Sequence, residues 1–218
     1  MEVNVSGAVG RIVRLANGVF TRVRLTALGS QAVARVEGKY TETGRAGARF
    51  FVSPGVVANA VAPVQDLGTT TAGWALYNGN AAGGKSYEVL MAFAYQASGT
   101  SGLGAALLLG SSTLVQAAAV AAGTGTLVKA MGSSSGAGAN ATLGNAITLA
   151  GAPAWVCVAS NAQPAIVGIG SGPLVANLDG LFIVKPGFAL GATVLAPAGT
   201  TAKYSVGFIC NELDLDME

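Results

Sequence analysis

One stretch of the chain matches a catalytic pattern at every fixed position. Gly79-Asn80-Ala81-Ala82-Gly83-Gly84-Lys85-Ser86 fits GxxxxGK[ST], in which loop N–H groups and a lysine hold phosphates while a serine hydroxyl holds magnesium. That chemistry needs a buried parallel strand before the loop and a helix starting at its Lys-Ser, since the helix N-terminus supplies the oriented N–H groups. Residues 73–78 (GWALYN) could form the strand. After the loop, however, Tyr87, Val89, Met91, Phe93 and Tyr95 alternate with Glu88, Leu90, Ala92 and Ala94, the period of a strand and not of a helix. No apolar run ends in the aspartate that would complete a magnesium site; Leu178-Asp179 comes before the run at 181–184 and not after it. With 32 glycines in the chain, the match reads as a flexible hairpin loop.

The remaining chemistry is sparse. The absence of histidine removes an imidazole base and any zinc site built on one. Cys157 and Cys210 lack metal-ligand spacing, and both lie in apolar strand-like runs, where reduced, buried thiols are expected. Glu212, Asp214, Asp216 and Glu218 lack the glycine and ligand number of a calcium loop. Of the 10 acids, most fall in the two terminal segments, a poor basis for a paired-carboxylate glycosidase. The chain is therefore expected to be no enzyme and to carry no cofactor or metal.

The elements that would position these residues read as strands. The apolar run 181–184 ends at Lys185-Pro186-Gly187, where proline presets φ and glycine accepts the positive φ of a type II turn. Runs at 189–196 and 204–210 follow, separated by the turn cluster Pro197-Ala198-Gly199-Thr200-Thr201. Such short links leave no room for a crossover helix, so the three strands are expected to be antiparallel neighbours. Earlier, residues 74–77, 87–95, 103–109, 126–131, 147–149, 154–159, 166–169 and 174–175 are strand candidates; 113–122 could be a short helix, and 132–145 (GSSSGAGANATLGN) reads as a loop. From residue 72 onward this amounts to the strand number and spacing of a sandwich.

The N-terminal part differs. Strands are expected at 3–5, 11–15, 19–26, 31–36 and 49–52, with Asn17-Gly18 as a two-residue hairpin turn. In VFTRVRLT, Val19, Val23 and Leu25 share a face with Thr21, while Arg22 and Arg24 share the other with Phe20 and Thr26. Residues 1–49 carry a net charge of +5, through Arg11, Arg14, Arg22, Arg24 and Arg35 among others, and the last seven residues carry −4. The overall +2 conceals this asymmetry, which calls for a charged partner. Acids interspersed among the arginines, without aromatic interleaving, argue against nucleic acid. No apolar stretch near the start resembles a secretory signal, and glycines and polar residues interrupt the uncharged segment 103–121, so neither export nor membrane insertion is expected.

Composition points to assembly. Charged residues make up 10 % and hydrophobic ones 51 % of 218 residues, where an average soluble domain has about 25 % charged. A surface so poor in charge favours contact between copies.

A resemblance adds to this reading. The order of strand, Pro-x-Gly turn, ALGATVLAPAGTT and a final aromatic strand closing on Asn211-Glu212-Leu213 resembles the C-terminal part of jelly-roll subunits of tailed-phage virions, the trimeric decoration, cement or head-fibre class. Trp74-Ala75-Leu76-Tyr77-Asn78, Gly84-Lys85-Ser86-Tyr87 and Ala92-Phe93-Ala94-Tyr95 are similar too, and together the likeness spans roughly residues 70 to 213. It implies an all-β, antiparallel jelly-roll-like sandwich at 56–218, preceded by a basic, hairpin-rich docking segment at 1–55. The function it implies is that of a capsid decoration or cement subunit, made in the host cytoplasm, homotrimeric and bound to the major capsid protein on the virion surface. Arg11, Arg14, Arg22, Arg24 and Arg35 would make the capsid contact, with neither nucleic acid nor membrane as partner. A receptor- or carbohydrate-binding fibre sandwich is the second reading, and a nucleotide-binding protein the third.

Overall fold

The structure is a computed structural model. It describes residues 11–14, 20–25, 31–32, 47–54, 57–66, 70–100, 104–112, 126–130, 137–149, 151, 153–162, 172–197 and 201–213, by backbone alone for the strands within 11–32 and at 126–130. The chain divides into two compact units, Met1–Glu42 and Thr43–Glu218.

The first unit is a three-stranded antiparallel sheet of β1 (Arg11–Arg14), β2 (Phe20–Leu25) and β3 (Gln31–Ala32), in the order β1-β2-β3. The hairpin expected from the alternating pattern is present, while its Asn17-Gly18 turn, the strand expected at 3–5 and Arg35 lie outside the described residues.

Among its described residues the second unit contains ten strands: β4 (Arg49–Pro54), β5 (Thr71–Asn78), β6 (Ser86–Ser98), β7 (Gly104–Ser112), β8 (Thr126–Ala130), β9 (Ala141–Thr148), β10 (Val156–Ala162), β11 (Leu174–Val184), β12 (Ala189–Leu195) and β13 (Lys203–Leu213). They form two five-stranded sheets, ordered β10-β7-β12-β5-β9 and β11-β6-β13-β4-β8. The antiparallel partners are nested: β4 with β13, β5 with β12, β6 with β11, β7 with β10. A long hairpin wound round a barrel gives this pattern, with β13·β6 and β12·β7 closing the winding, and it defines a jelly roll. β8 and β9 are an insertion that widens each sheet by one strand, beside β4 and β5 respectively.

Two expectations need correction. β11, β12 and β13 are not neighbours of one another, because β12 lies in the opposite sheet from the other two. Loop 79–85 likewise joins β5 in one sheet to β6 in the other and is no hairpin. Short links exclude a crossover helix, but four or more extended residues easily bridge the roughly 10 Å between packed sheets. β4 is hydrogen-bonded between β13 and β8 of the second sheet.

The core fills the space between the sheets. Phe50 and Val52 of β4, Trp74 and Leu76 of β5, Tyr87 and Val89 of β6, Leu107 and Leu109 of β7, and Tyr204 and Phe208 of β13 are all buried in one cluster. Phe50 meets Tyr87 edge to face at 5.0 Å, and Trp74 Nε1 donates to the Tyr204 carbonyl at 3.2 Å, so the indole is buried without losing its hydrogen bond. β9 starts at Ala141, inside the segment expected as a loop, because Ala141 and Leu143 turn inward and are almost fully buried.

Connections cap the sandwich. Val61 exchanges backbone hydrogen bonds with Tyr204 of one sheet, and Val64 donates to Val194 of the other, so 61–64 ties the sheets together at one end. Residues 153–155 lead into β10, at the opposite edge of the sheet from β9. Pro153 and Trp155 pass over Gly110 and over the paired Gly191, where a Cβ would meet the Pro153 ring at 2.8 Å or the Trp155 ring at 3.3 Å. The two glycines make a notch that seats the crossing.

Candidate functional site

The GxxxxGK[ST] loop meets neither condition for holding phosphate. The strand before it is antiparallel to both neighbours, and Ser86 begins strand β6 where a helix N-terminus would be needed. The Ser86 hydroxyl is fully buried and has no hydrogen-bond partner, which removes it from any ion outside. Asparagine amides instead knot the loop together. The buried Asn78 Nδ2 donates to the Lys85 and Val184 carbonyls at 2.9 Å, and its Oδ1 accepts from Asn80 N–H at 3.1 Å. Asn80 Nδ2 donates again to the Lys85 carbonyl at 2.8 Å, and Asn140 Nδ2 donates to Asn80 Oδ1 at 2.7 Å. The turn at Lys185-Pro186-Gly187 forms as expected, with Gly187 at φ 77° and Phe188 N–H bonded to the Lys185 carbonyl; Gly187 N–H also binds the Asn78 carbonyl. Lys85 Nζ points outward, 3.8 Å from Glu212 and half exposed. Beneath the knot, burial raises the pKa of Tyr87, with Glu212 and Cys210 adding to the shift. Burial first, and Glu88 second, raise that of Cys210.

The thiols do not share one environment. Both are free; Cys210 is buried as expected, whereas Cys157 is exposed on β10, an edge strand with only one neighbour to cover it. Among the described residues, no cluster of three or more histidine, cysteine or acidic side chains could hold a metal ion.

Arg11 and Arg14 lie on β1, Arg22 and Arg24 on β2. The register sets Arg11 opposite Val23, Ile12 opposite Arg22, and Arg14 opposite Phe20. By the alternation of a pleated sheet, positions 14, 22 and 24 fall on one side and position 11 on the other. The structure thus brings three of the four arginines described on this small sheet to one side of it.

A second surface was missed in the sequence. On β6, Tyr87 and Val89 face the core, then Leu90 is inserted as a bulge, and beyond it Ala92 and Ala94 face the core instead. The register shift shows the insertion on both sides of the strand: Cys210 pairs with Val89 but Ile209 with Met91, and Phe182 with Val89 but Asn177 with Met91. One extra residue sends every later side chain to the opposite face. Met91, Phe93 and Tyr95 therefore look outward, beside Ile209 of β13, Phe51 of β4, and Val175 and Ile183 of β11. Leu181 is 70 % exposed and Val175 50 %. The insert in β11 opposite Leu90 is a tight turn through Asp179 and Gly180, both at positive φ, and a Cβ at Gly180 would stand 2.6 Å from Glu88 Oε1. One polar row crosses this face: Arg49 Nε donates to Asn211 Oδ1 at 3.2 Å, and Asn211 Nδ2 donates to Glu88 Oε2 at 2.9 Å.

A shallow cleft of about 410 Å³ lies between Gln65, the starts of β7 and the ends of β10 and β12, and its polar lining is neutral: Gln65, Ser160 and Asn161. Neither tryptophan lines it.

Protein-family models, curated proteins and solved structures were all compared with the chain, and none matches.

Proposed function

We propose that the chain is a non-enzymatic structural protein of a phage virion, a decoration or cement subunit that assembles as a homotrimer and binds the major capsid protein through its N-terminal unit. The observation that carries this reading is the division of labour in the chain. A separate three-stranded unit holds Arg11, Arg14, Arg22 and Arg24, while the larger unit is a jelly roll with an apolar outer face and, among its described residues, no cluster of side chains that could hold a metal ion. Arginine forks suit bidentate pairing with carboxylates, and their charge sets orientation and association rate on an acidic capsid surface. Arg35 belongs to the same basic segment in sequence.

The carbohydrate-binding alternative has less support. Glycan sites commonly stack sugars on exposed aromatic rings, but Trp74 is 2 % exposed with its N–H already bound, and Trp155 is seated over the glycine notch.

The test is a deletion at the observed division. Full-length protein and residues 43–218 are mixed with undecorated particles, and bound protein is measured after sedimentation, with circular dichroism of the shortened chain as the folding control. Binding of the full chain alone, with a folded 43–218, is the expected result. Equal binding by folded 43–218 overturns the docking role.

A further inference from the structure

We propose that the outward face of the β11-β6-β13-β4 strands is the surface on which copies of this chain meet, in a closed ring; this rests on the homotrimeric reading above and names its contact. The face carries Phe51, Met91, Phe93, Ile209, Val175 and Ile183, and Leu181 projects at its β11 margin. Scattered exposed apolar residues are ordinary, but these are contiguous across four strands. Strands about 4.8 Å apart, over about seven residues at about 3.4 Å each, give a footprint of roughly 400 Å². A two-body interface takes about 800 Å² from each partner. The patch alone is about half of that, so the contact between copies takes in surface beyond these side chains.

The charges of the face are arranged to match. Arg49 stands on the β4 side, while Glu88 and the exposed Asp179 stand on the β6 and β11 side, with neutral Asn211 between. A face that is basic on one flank and acidic on the other is complementary to its own neighbour in a ring, the β4 flank of one copy against the β11 flank of the next. A uniformly acidic or basic partner would meet repulsion on one flank. Contact through the β10 and β11 edges is disfavoured: β10 is bulged between Cys157 and Ala159, and β11 carries the four-residue excursion between Asn177 and Phe182. Such irregularities block edge-to-edge pairing.

The experiment is light scattering coupled to size exclusion on the full chain. The wild-type mass is expected near three times 21.4 kDa. The double variant Leu181→Glu with Ile183→Glu changes only exposed side chains and is expected to elute at the single-chain mass, with an unchanged circular dichroism spectrum. Val156→Glu, equally exposed but on the other sheet, is expected to leave the oligomer intact. Asp179→Asn, which keeps a residue type suited to positive φ, is expected to raise the dissociation constant several-fold. An oligomer that survives the double variant, or one that Val156→Glu also breaks, overturns this face while leaving the homotrimer standing. A single-chain mass for the wild type overturns both.

Discussion

The ring of Phe93 lies over Gly207 of the neighbouring strand, directly opposite in register and so near that a Cβ on Gly207 would overlap the ring. Phe93 stands on the outer face, where it can tilt toward solvent, so the clash is relieved by side-chain movement and not by the backbone.

Gly207→Ala is therefore expected to cost only about 1 kcal/mol, at the low end for overpacking. In a Phe93→Ala background the same change should cost close to nothing. Urea unfolding of the four proteins of this cycle checks it, and an undiminished cost without the ring would show that the strain lies in the strand.

At the knotted end, two nearby substitutions should have opposite signs. Asn78→Ala leaves the Val184 carbonyl without its buried side-chain donor, while the Lys85 carbonyl keeps Asn80 Nδ2, and is expected to destabilise by about 2 kcal/mol, since an orphaned buried group costs about 1–3 kcal/mol. Ser86→Ala removes a hydroxyl that is buried without a partner and should be neutral or stabilising by about 1 kcal/mol. Lys85→Ala, which loses only a long, half-exposed ion pair, should change stability by less than about 0.5 kcal/mol and leave ATP binding undetectable before and after. Micromolar ATP binding lost in that variant would restore the phosphate-loop reading.

Ala146 on β9 adopts φ 50°, a conformation that costs an ordinary L-residue about 1–2 kcal/mol. Ala146→Gly relieves that strain at a smaller entropic cost, so a net gain of about 0.5–1 kcal/mol is expected. A loss of stability in thermal unfolding would show that the methyl group itself is needed.

Alkaline pH should weaken the fold in a defined window. Tyr87 and Cys210 have folded pKa values raised above their ordinary 10.0 and 9.0, so the unfolded chain releases these protons first. Protons held more tightly by the native state make stability fall with rising pH. Their contribution is therefore constant below about pH 8.5 and declines above it, first through Cys210 and then, past about pH 10, through Tyr87, each by about 1.4 kcal/mol per pH unit at most. Tyr87→Phe should flatten the part above pH 10; an unchanged slope there would exclude Tyr87 as its source.

The strands were readable in the sequence wherever alternation continued unbroken or a turn had distinctive chemistry, as at Lys185-Pro186-Gly187. What could not be read was where a strand goes in the fold. A link of four residues serves a hairpin and a crossing between sheets equally well, so β12 was placed beside β11 when it belongs to the opposite sheet. The outer apolar face was hidden by a single residue: Tyr87 to Tyr95 alternate perfectly on paper, and the Leu90 insertion changes sides halfway with no mark in the composition. Leu143 shows the reverse case, one large side chain among small ones whose burial turned an apparent loop into β9.

The nested pairing also dictates when this fold can come into being. β13, the latest strand in chain order, occupies the middle of its sheet, with β6 on one side and β4 on the other, and it joins Arg49 to Asn211 across 162 residues. A nascent chain still short of Lys203 holds two half-sheets with a gap between them, so the sandwich must close after nearly all of it has left the ribosome. Because the loop closure comes before its reward, folding should be slow for a domain of this size. Until then the growing polypeptide presents open strand edges, and chaperone protection matters most in that interval.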